Sequence, residues 1–222
     1  MHRVALPAWA VERGAALNAF DIIEPGRTAL IVVDMQAAFI AEDQVYGNAH
    51  ARDVVPAVNA LAASLRSSGA TVVWTRQTHS LEPPFAPPAW QYDLAIPEVR
   101  RGVTALQAGA AGHALYERMA VGPEDMVIDK HRYGAFSCPA GRLRRILEQS
   151  GTEMVVIAGT LTNCCCESTA REANMAGYKV VVVSDATAAV TDAEHNAALL
   201  NLRLNFADVK TAAQVVAMAG AT

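Results

Sequence analysis

The chain has 222 residues, 52% of them hydrophobic, and its formal net charge at pH 7 is −4. This length and composition predict one domain with a large buried core. An acidic balance gives no electrostatic reason to bind nucleic acid or an anionic membrane surface, so we expect neither as a partner.

The first 27 residues are predicted to form an N-terminal arm ahead of a single domain over residues 28–222. Pro7, Glu12 and Arg13 interrupt the apolar positions of this arm, unlike the continuous apolar segment of a secretory signal. No segment reaches the roughly 18 uninterrupted apolar residues that a membrane-spanning helix needs. We expect the arm to lie over the body of the protein or over another subunit.

From Thr28 onward, short apolar runs alternate with helical patterns, which is typical of a parallel sheet covered by helices on both faces. The runs predicted as strands are TALIVVD (28–34), ATVVWTRQ (70–77), DMVIDK (125–130), EMVVIAG (153–159) and KVVVVSDAT (179–187). The helical patterns cover 51–69, 138–151, 166–178 and 192–206, and the segment 207–218 closes the alternation. Between Thr78 and Ala120 no regular pattern is visible, and a connection of this length is expected to lie beside the functional site.

Three of the predicted strand ends carry reactive groups. Asp34 ends the first strand, Lys130 ends the third, and a run of three cysteines (164–166) follows the fourth. In open α/β sheets, ligands bind beyond the carboxyl ends of the strands, and a parallel sheet brings these ends to the same edge. The sequence therefore predicts the functional site at this edge.

A cysteine at this edge can act as a nucleophile. The thiolate is favoured at a helix N-terminus, and the small and polar turn GTLTN (159–163) can expose such a terminus. A carboxylate can take the thiol proton and later deliver it to a leaving amine, while an ammonium orients the carboxylate and lowers the thiol pKa. Because side chains leaving a tight turn point in different directions, we expect at most one cysteine to face the cleft. These arguments do not choose among Cys164, Cys165 and Cys166.

The same residues also have ordinary structural interpretations. An Asp that ends a first strand often contacts a ribose or a metal, or caps the next helix. Lysine is mostly a surface residue, and cysteines in apolar surroundings usually behave as small buried hydrophobes. The convergence of all three groups at one edge favours catalysis.

Three segments, TALIVVDMQAAF, IDKHRYGAF and VVIAGTLTNCCCESTAREANMAGYKVVVVSDATAA, together resemble the isochorismatase-like cysteine hydrolase superfamily. The resemblance covers roughly Thr28 to Val209. It implies an α/β, three-layer Rossmann-like fold in which helices flank both faces of a six-stranded parallel sheet. The family motif places the nucleophile at Cys165, and Cys164 and Cys166 then occupy positions where relatives commonly carry Val, which favours a filler role.

The resemblance further implies a catalytic triad of Asp34, Lys130 and Cys165. Relatives have a non-proline cis peptide bond before the nucleophile, which here corresponds to Thr160-Leu161. The N–H groups of Leu161 and Cys165 are then expected to form an oxyanion hole for a tetrahedral intermediate.

Nicotinamidase-type relatives hold a metal near the second strand with an Asp-x-His pair and a later His. The matching segment WTRQTHSLEPP contains His79 but lacks that aspartate and a second nearby histidine, so we expect no catalytic metal and no cofactor. Alone, His79 is more typical of a polar wall residue than of a metal ligand. Isochorismatases cleave a vinyl ether without needing a thiol nucleophile, so the presence of Cys165 favours amide chemistry.

The branch that remains contains N-carbamoylsarcosine amidase, ureidoacrylate amidohydrolase and biuret hydrolase. We expect hydrolysis of a terminal carbamoyl or ureido amide with release of ammonia, on a small substrate that is carboxylated or carries a ureido group. The residues expected to contact this substrate, each of which can equally be structural, are Phe39, Gln77, His79, Trp90, Gln91 and Tyr133. Arg132 is expected to make a structural ion pair or to meet a substrate carboxylate.

Two other functions stay open. An isochorismatase-type vinyl ether hydrolase would keep the fold and release pyruvate without thiol chemistry. A zinc or redox module would use the three contiguous cysteines together with Cys138, although zinc sites normally use cysteine pairs separated by two to four residues.

The cysteines and the helices also bear on location and assembly. Contiguous cysteines are poorly placed for a disulfide framework, so we expect a reducing cytoplasm. Ala-rich helices and an apolar arm favour a homo-oligomer, and the resemblance implies a dimer or a tetramer.

Overall fold

The computed structural model describes residues 1–220, and its six strands form one parallel sheet. The order of the strands in the sheet is β3-β2-β1-β4-β5-β6. Their bounds are β1 (Thr28–Val33), β2 (Thr71–Gln77), β3 (Met126–Lys130), β4 (Met154–Thr160), β5 (Lys179–Ala188) and β6 (Asp208–Lys210). The six-stranded parallel α/β fold implied by the sequence is confirmed.

The central strand β1 shows why these apolar runs form strands. All six of its residues are buried, and successive side chains of a strand point to opposite faces of the sheet. Leu30 and Val32 pack into the core on one face, whereas Ala29 and Ile31 pack into the core on the other. A run without alternating polar residues is therefore the pattern of a strand that is covered on both sides.

Helices complete the outer layers. Their bounds are α1 (Ala8–Ala15), α2 (Ala37–Ile40), α3 (Ala49–Asp53), α4 (Val55–Ser67), α5 (Pro97–Ala105), α6 (Arg142–Gln149), α7 (Glu167–Met175), α8 (Asp192–Asn205) and α9 (Ala212–Ala219). Apolar residues of α4 and α9 pack against one face of the sheet, and those of α6, α7 and α8 pack against the other. Within residues 1–220, no helix combines the length and the apolar composition needed to cross a bilayer.

Two segments that were each predicted as one element contain two elements in the structure. The helical pattern 51–69 is interrupted at Val54, and Pro56 lies in the first turn of α4, where its missing N–H costs no helical hydrogen bond. The segment 207–218 contains both the short strand β6 and most of α9. The irregular stretch after Thr78 contains α5, whose helical signal is weak because the helix is only nine residues long.

The N-terminal arm packs on the body of the same chain. The guanidinium of Arg203, on α8, donates hydrogen bonds of 2.9 Å to the carbonyl of Val11 and 2.8 Å to that of Asn18. A Cβ at Gly14 would lie 2.1 Å from the carbonyl oxygen of Arg203, so only glycine allows α1 to approach α8 this closely.

Candidate active site

The site forms where the strand order changes direction, between β1 and β4. Strands added on one side of this point run β1-β2-β3, and those on the other side run β4-β5-β6. The chains leaving two such neighbouring strands diverge and open a crevice at the carboxyl edge of the sheet. Gly159 lets the two strand ends approach, because its φ is +114° and a Cβ there would lie 2.1 Å from the carbonyl oxygen of Val33.

Asp34 is the first residue after β1 and is completely buried. Its φ of 48° lies in the left-handed region that aspartate tolerates better than most residues. Oδ1 accepts a hydrogen bond of 2.7 Å from the hydroxyl of Thr75 on β2. Oδ2 lies 2.8 Å from Nζ of Lys130 and accepts no well-aligned hydrogen bond from the described residues. A lone pair of Oδ2 is therefore available to take up a proton.

Lys130 ends β3 and is only 1% exposed. In addition to the ion pair with Asp34, its Nζ donates to Oε1 of Gln77 at 2.7 Å and to the carbonyl of Arg132 at 3.0 Å. Burial lowers the pKa of Lys130, but the negative charge of Asp34 and the hydrogen bond with Cys165 outweigh burial, so that its pKa is raised. The side chain is a permanent ammonium between the carboxylate and the thiol.

Gln36 fixes the position of Gln77, the residue that binds Lys130. Its Nε2 donates to the carbonyls of Gln77 (3.1 Å) and His113 (2.9 Å), and its Oε1 accepts from the N–H of Gln77 at 2.7 Å. Gln36 thus joins the ends of β1 and β2 and fixes the residue that binds Lys130. Sequence reasoning missed it, although its position two residues after a strand-ending aspartate was a usable signal.

The cysteines lie in a wide turn between β4 and α7. The Thr160-Leu161 peptide bond is cis, and the carbonyl of Leu161 accepts hydrogen bonds of 3.1 Å from the N–H groups of both Cys164 and Cys166. The second of these bonds closes a π-helical turn. Cys166 is completely buried in the core, which confirms its filler role, whereas Cys165 borders a cavity.

Two expectations about these cysteines are wrong. Cys164 lines the cavity together with Cys165, because the wide turn directs two consecutive side chains to the same side. The thiol pKa of Cys165 is raised and not lowered: the hydrogen bond with Cys164 and complete burial outweigh the attraction of Lys130. The same hydrogen bond lowers the pKa of Cys164.

The cavity in front of Cys165 has a volume of about 710 Å³. Asp34 and Lys130 do not line it and lie behind its surface. Of the residues expected to contact a substrate, Phe39, Gln77, His79 and Tyr133 line the cavity. The side-chain oxygen of Gln77 already accepts a hydrogen bond from Lys130, so Gln77 orients the ammonium group.

Three residues make contacts that differ from those expected. Trp90 is 85% exposed and does not line the cavity, because the turn formed by hydrogen bonds from Gln91 and Tyr92 to the carbonyl of Pro88 directs Tyr92 inward instead. Gln91 lines a smaller neighbouring cavity and donates to the hydroxyl of Tyr133 at 3.2 Å. Arg132 makes no ion pair in the described part of the chain and donates to backbone carbonyls.

The sequence reasoning missed most of the remaining lining. These residues come from the turn after α2 and the start of α3, from the long connection between β2 and β3, and from the turn after β5, and they are Tyr46, Asn48, His50, Tyr92, Leu106 and Val190. None lies in a periodic segment next to a recognisable motif. The Pro- and aromatic-rich composition around Tyr92 was the one available signal.

Within residues 1–220, one group of three side chains has the composition of a metal site. Ligand atoms of His2, His50 and Asp192 lie within 4.8 Å of one another. His2 accepts a hydrogen bond from the N–H of Ala189 with Nε2 and binds Asp192 through Nδ1, so it has no lone pair left for an ion. The rings of His2 and His50 stack at 4.0 Å, and lone pairs of stacked rings do not converge. The group is a packing cluster.

A family model described as the isochorismatase domain matches residues 28–214 of the chain. The chain is 29% identical to the ureidoacrylate amidohydrolase RutB of Methylobacterium radiotolerans over 201 residues, which cover 83% of this chain and 76% of that protein. It is 44% identical to nicotinamidase 3 of Arabidopsis thaliana, but over 86 residues only, which are 39% of this chain and 42% of that protein.

Solved structures show the same similarity. A cysteine hydrolase from Pseudomonas syringae pv. phaseolicola superposes with a TM-score of 0.81 at 26% identity, covering 92% of this chain and 97% of the other. N-carbamoylsarcosine amidase from Thermoplasma acidophilum superposes with a TM-score of 0.68 at 26% identity, covering 84% and 96%.

Proposed function

The chain belongs to the isochorismatase family of cysteine hydrolases, and on that premise we propose that it is an amidohydrolase that cleaves the C–N bond of a small carbamoyl or ureido amide and releases ammonia. One observation carries the proposal: the thiol of Cys165 borders the cavity and lies beside the buried ion pair of Asp34 and Lys130. The names of the relatives RutB and N-carbamoylsarcosine amidase support amide hydrolysis as the reaction class.

In the proposed first half-reaction, Cys165 attacks the amide carbonyl while its proton passes to Oδ2 of Asp34. The raised pKa of the thiol means that the proton leaves only as the sulfur–carbon bond forms, which is general-base catalysis. The N–H groups of Leu161 and Cys165 hold the resulting oxyanion. Asp34 then protonates the amine, the C–N bond breaks, and ammonia leaves a thioester-like intermediate.

The second half-reaction uses the same groups in reverse. A water molecule replaces ammonia, Asp34 takes its proton, and the hydroxide attacks the carbonyl carbon of the intermediate. The carbon–sulfur bond breaks, and the proton returns to the sulfur. Lys130 keeps its charge throughout, because its pKa is raised. It therefore orients Asp34 in both halves and stabilises the negative charge that develops on the sulfur when the carbon–sulfur bond breaks.

The proposal is tested by measuring ammonia release from a panel of simple amides, substituted ureas and biuret. Cys165→Ala should abolish release, and Cys138→Ala, which removes another buried thiol, should leave it near the wild-type value. Mass spectrometry of quenched reactions should show the acyl adduct on Cys165. Wild-type activity in Cys165→Ala would refute the covalent mechanism. Pyruvate release from isochorismate that resists thiol alkylation would favour the ether hydrolase instead.

A further inference from the structure

The cavity wall carries no fixed charge. Among the described residues that line the cavity there is no Asp, Glu, Lys or Arg. The ion pair of Asp34 and Lys130, which lies behind the cavity surface, has no net charge. An anionic group of a substrate would thus lie in the cavity without a counterion in its wall, which is costly because burial removes the water that stabilises the charge.

The histidines of the wall do not supply a positive charge at neutral pH. Burial, together with the charges of Lys130 and His131, lowers the pKa of His79 to about 4. Burial and the neighbouring His2 also lower the pKa of His50. Both rings are therefore neutral above pH 6.5, where an unperturbed histidine is also neutral.

Two arginines of this region, Arg132 and Arg101, do not line the cavity. Arg132 borders the smaller neighbouring cavity of about 170 Å³, and its two terminal nitrogens donate to the carbonyls of Pro84, Phe85 and His131. Arg101, which acts on the pKa of Tyr46 from a distance, is exposed and does not line the cavity. Neither guanidinium lines the cavity in front of Cys165.

Some polar side chains of the wall are already hydrogen-bonded within the protein. The hydroxyls of Tyr92 and Tyr133 share a hydrogen bond of 2.7 Å. The side chain of Asn48 donates to the carbonyl of Ala189 at 2.7 Å and accepts from the N–H of His50 at 3.0 Å. What the wall presents to a substrate is mainly ring and aliphatic surface, with Phe39 and Tyr46 stacked on one side at 5.6 Å.

We infer that the substrate is an uncharged amide or urea whose body, beyond the scissile group, is apolar or aromatic, and that carboxylated ureido acids are excluded. This inference rests on the proposed function for its reaction class and differs from the expectation of a carboxylated substrate. The wall residues Tyr46, Tyr92, Leu106 and Val190 determine this specificity by offering contact surface and no counterion.

Matched pairs of amides that differ only in a carboxylate test the inference: benzamide with 4-carbamoylbenzoate, and propylurea with 3-ureidopropionate. We expect kcat/KM to be at least about 100-fold higher for the neutral member of each pair. Calorimetric binding to Cys165→Ala, with both members of each pair, gives a readout that does not need turnover. If the neutral members bind more tightly but none is hydrolysed, the inference holds and the proposed function fails. Equal or tighter binding of the carboxylates, or binding of neither member, overturns the inference.

A gain of function sharpens this test. Val190 lines the cavity and is 56% exposed, so Val190→Arg places a guanidinium at the mouth. It should raise kcat/KM for the carboxylated member by about tenfold or more, and salt should reduce the gain. The matched control is Met175→Arg, at a 72% exposed position on α7 outside the cavity, which should leave the preference unchanged. The same shift in both variants, or in neither, would contradict the assignment.

Discussion

The floor of the cavity and its wall are built from different parts of the chain. What we call the floor consists of Asp34, Lys130 and Cys165, which lie at or after strand ends and are almost completely buried; of the three, only Cys165 reaches the cavity surface. The wall, which includes Tyr46 and Tyr92, comes from connections and is partly exposed. All fixed charge is in the floor, where it is paired, and the wall is neutral. The groups proposed to make and break bonds are therefore in the floor, and those proposed to select the substrate are in the wall.

The largest expected effect comes from breaking the proton transfer in the floor. Asp34→Asn keeps the shape of the side chain but removes the base, and general acid–base catalysis is proposed in both half-reactions. We expect kcat to fall by about 1,000-fold or more, with a much smaller change in KM. Steady-state ammonia release measures both. Asp129→Asn is the matched control, because this carboxylate is next to Lys130 in sequence but pairs with Arg76. Equal losses in both variants would remove Asp34 from the mechanism.

Removing the ammonium tests the pairing of charge in the floor. Lys130→Met leaves the carboxylate of Asp34 completely buried beside an apolar side chain, and breaking such a pair typically costs about 3–5 kcal/mol of the free energy of unfolding. Urea denaturation of the variant measures this loss. The double variant Asp34→Asn with Lys130→Met should recover most of it, since no charge is then left unpaired. If the double variant is as unstable as the single one, lost packing and not charge explains the effect.

The positions of Asp34 and Lys130 were predictable from sequence because composition marks strand ends, whereas Cys165 was chosen among three cysteines only through the family resemblance. A buried apolar run that stops at Asp34 or Lys130 places these residues at one edge of a parallel sheet, whatever the connections do. The wall was not predictable, because the inward position of Tyr92 depends on a local turn that no periodicity reveals. The raised pKa of Cys165 was also missed, since it depends on the neighbouring thiol and on burial, which only packing determines.

The stability of the folded protein should depend on pH through two histidines, one in the wall and one next to the cysteine turn. His79 is in the wall, and His195 shares a hydrogen bond of 2.9 Å with the hydroxyl of Thr162 in the cysteine turn. Burial lowers the pKa of each to about 4, whereas in the unfolded chain a histidine titrates near 6.5. Between these values only the unfolded chain takes up the proton, so stability is full above pH 6.5 and falls as the pH approaches 4.

We expect each of these histidines to account for a loss of roughly 1–2 kcal/mol of unfolding free energy between pH 7 and pH 4. Urea denaturation of His79→Gln and His195→Gln at pH 7 and at pH 4 measures the contribution of each histidine. This contribution is the difference between the variant and the wild type in the slope of unfolding free energy against pH. The slope should be shallower in each variant. A slope identical to that of the wild type would show that the ring in question is solvated in the folded protein.

The smallest expected effect is in the wall. Tyr92→Phe keeps the ring that faces His79 at 5.1 Å but removes the hydroxyl that bonds Tyr133, and a hydrogen bond of this kind contributes about 1 kcal/mol. Because this bond fixes the wall and not the floor, KM for a neutral amide should rise by a few-fold while kcat changes little. Tyr178→Phe is the control, since this ring packs on Phe136 away from the cavity and should leave both constants unchanged. A loss mainly in kcat would place Tyr92 in the chemistry and erase the separation between floor and wall.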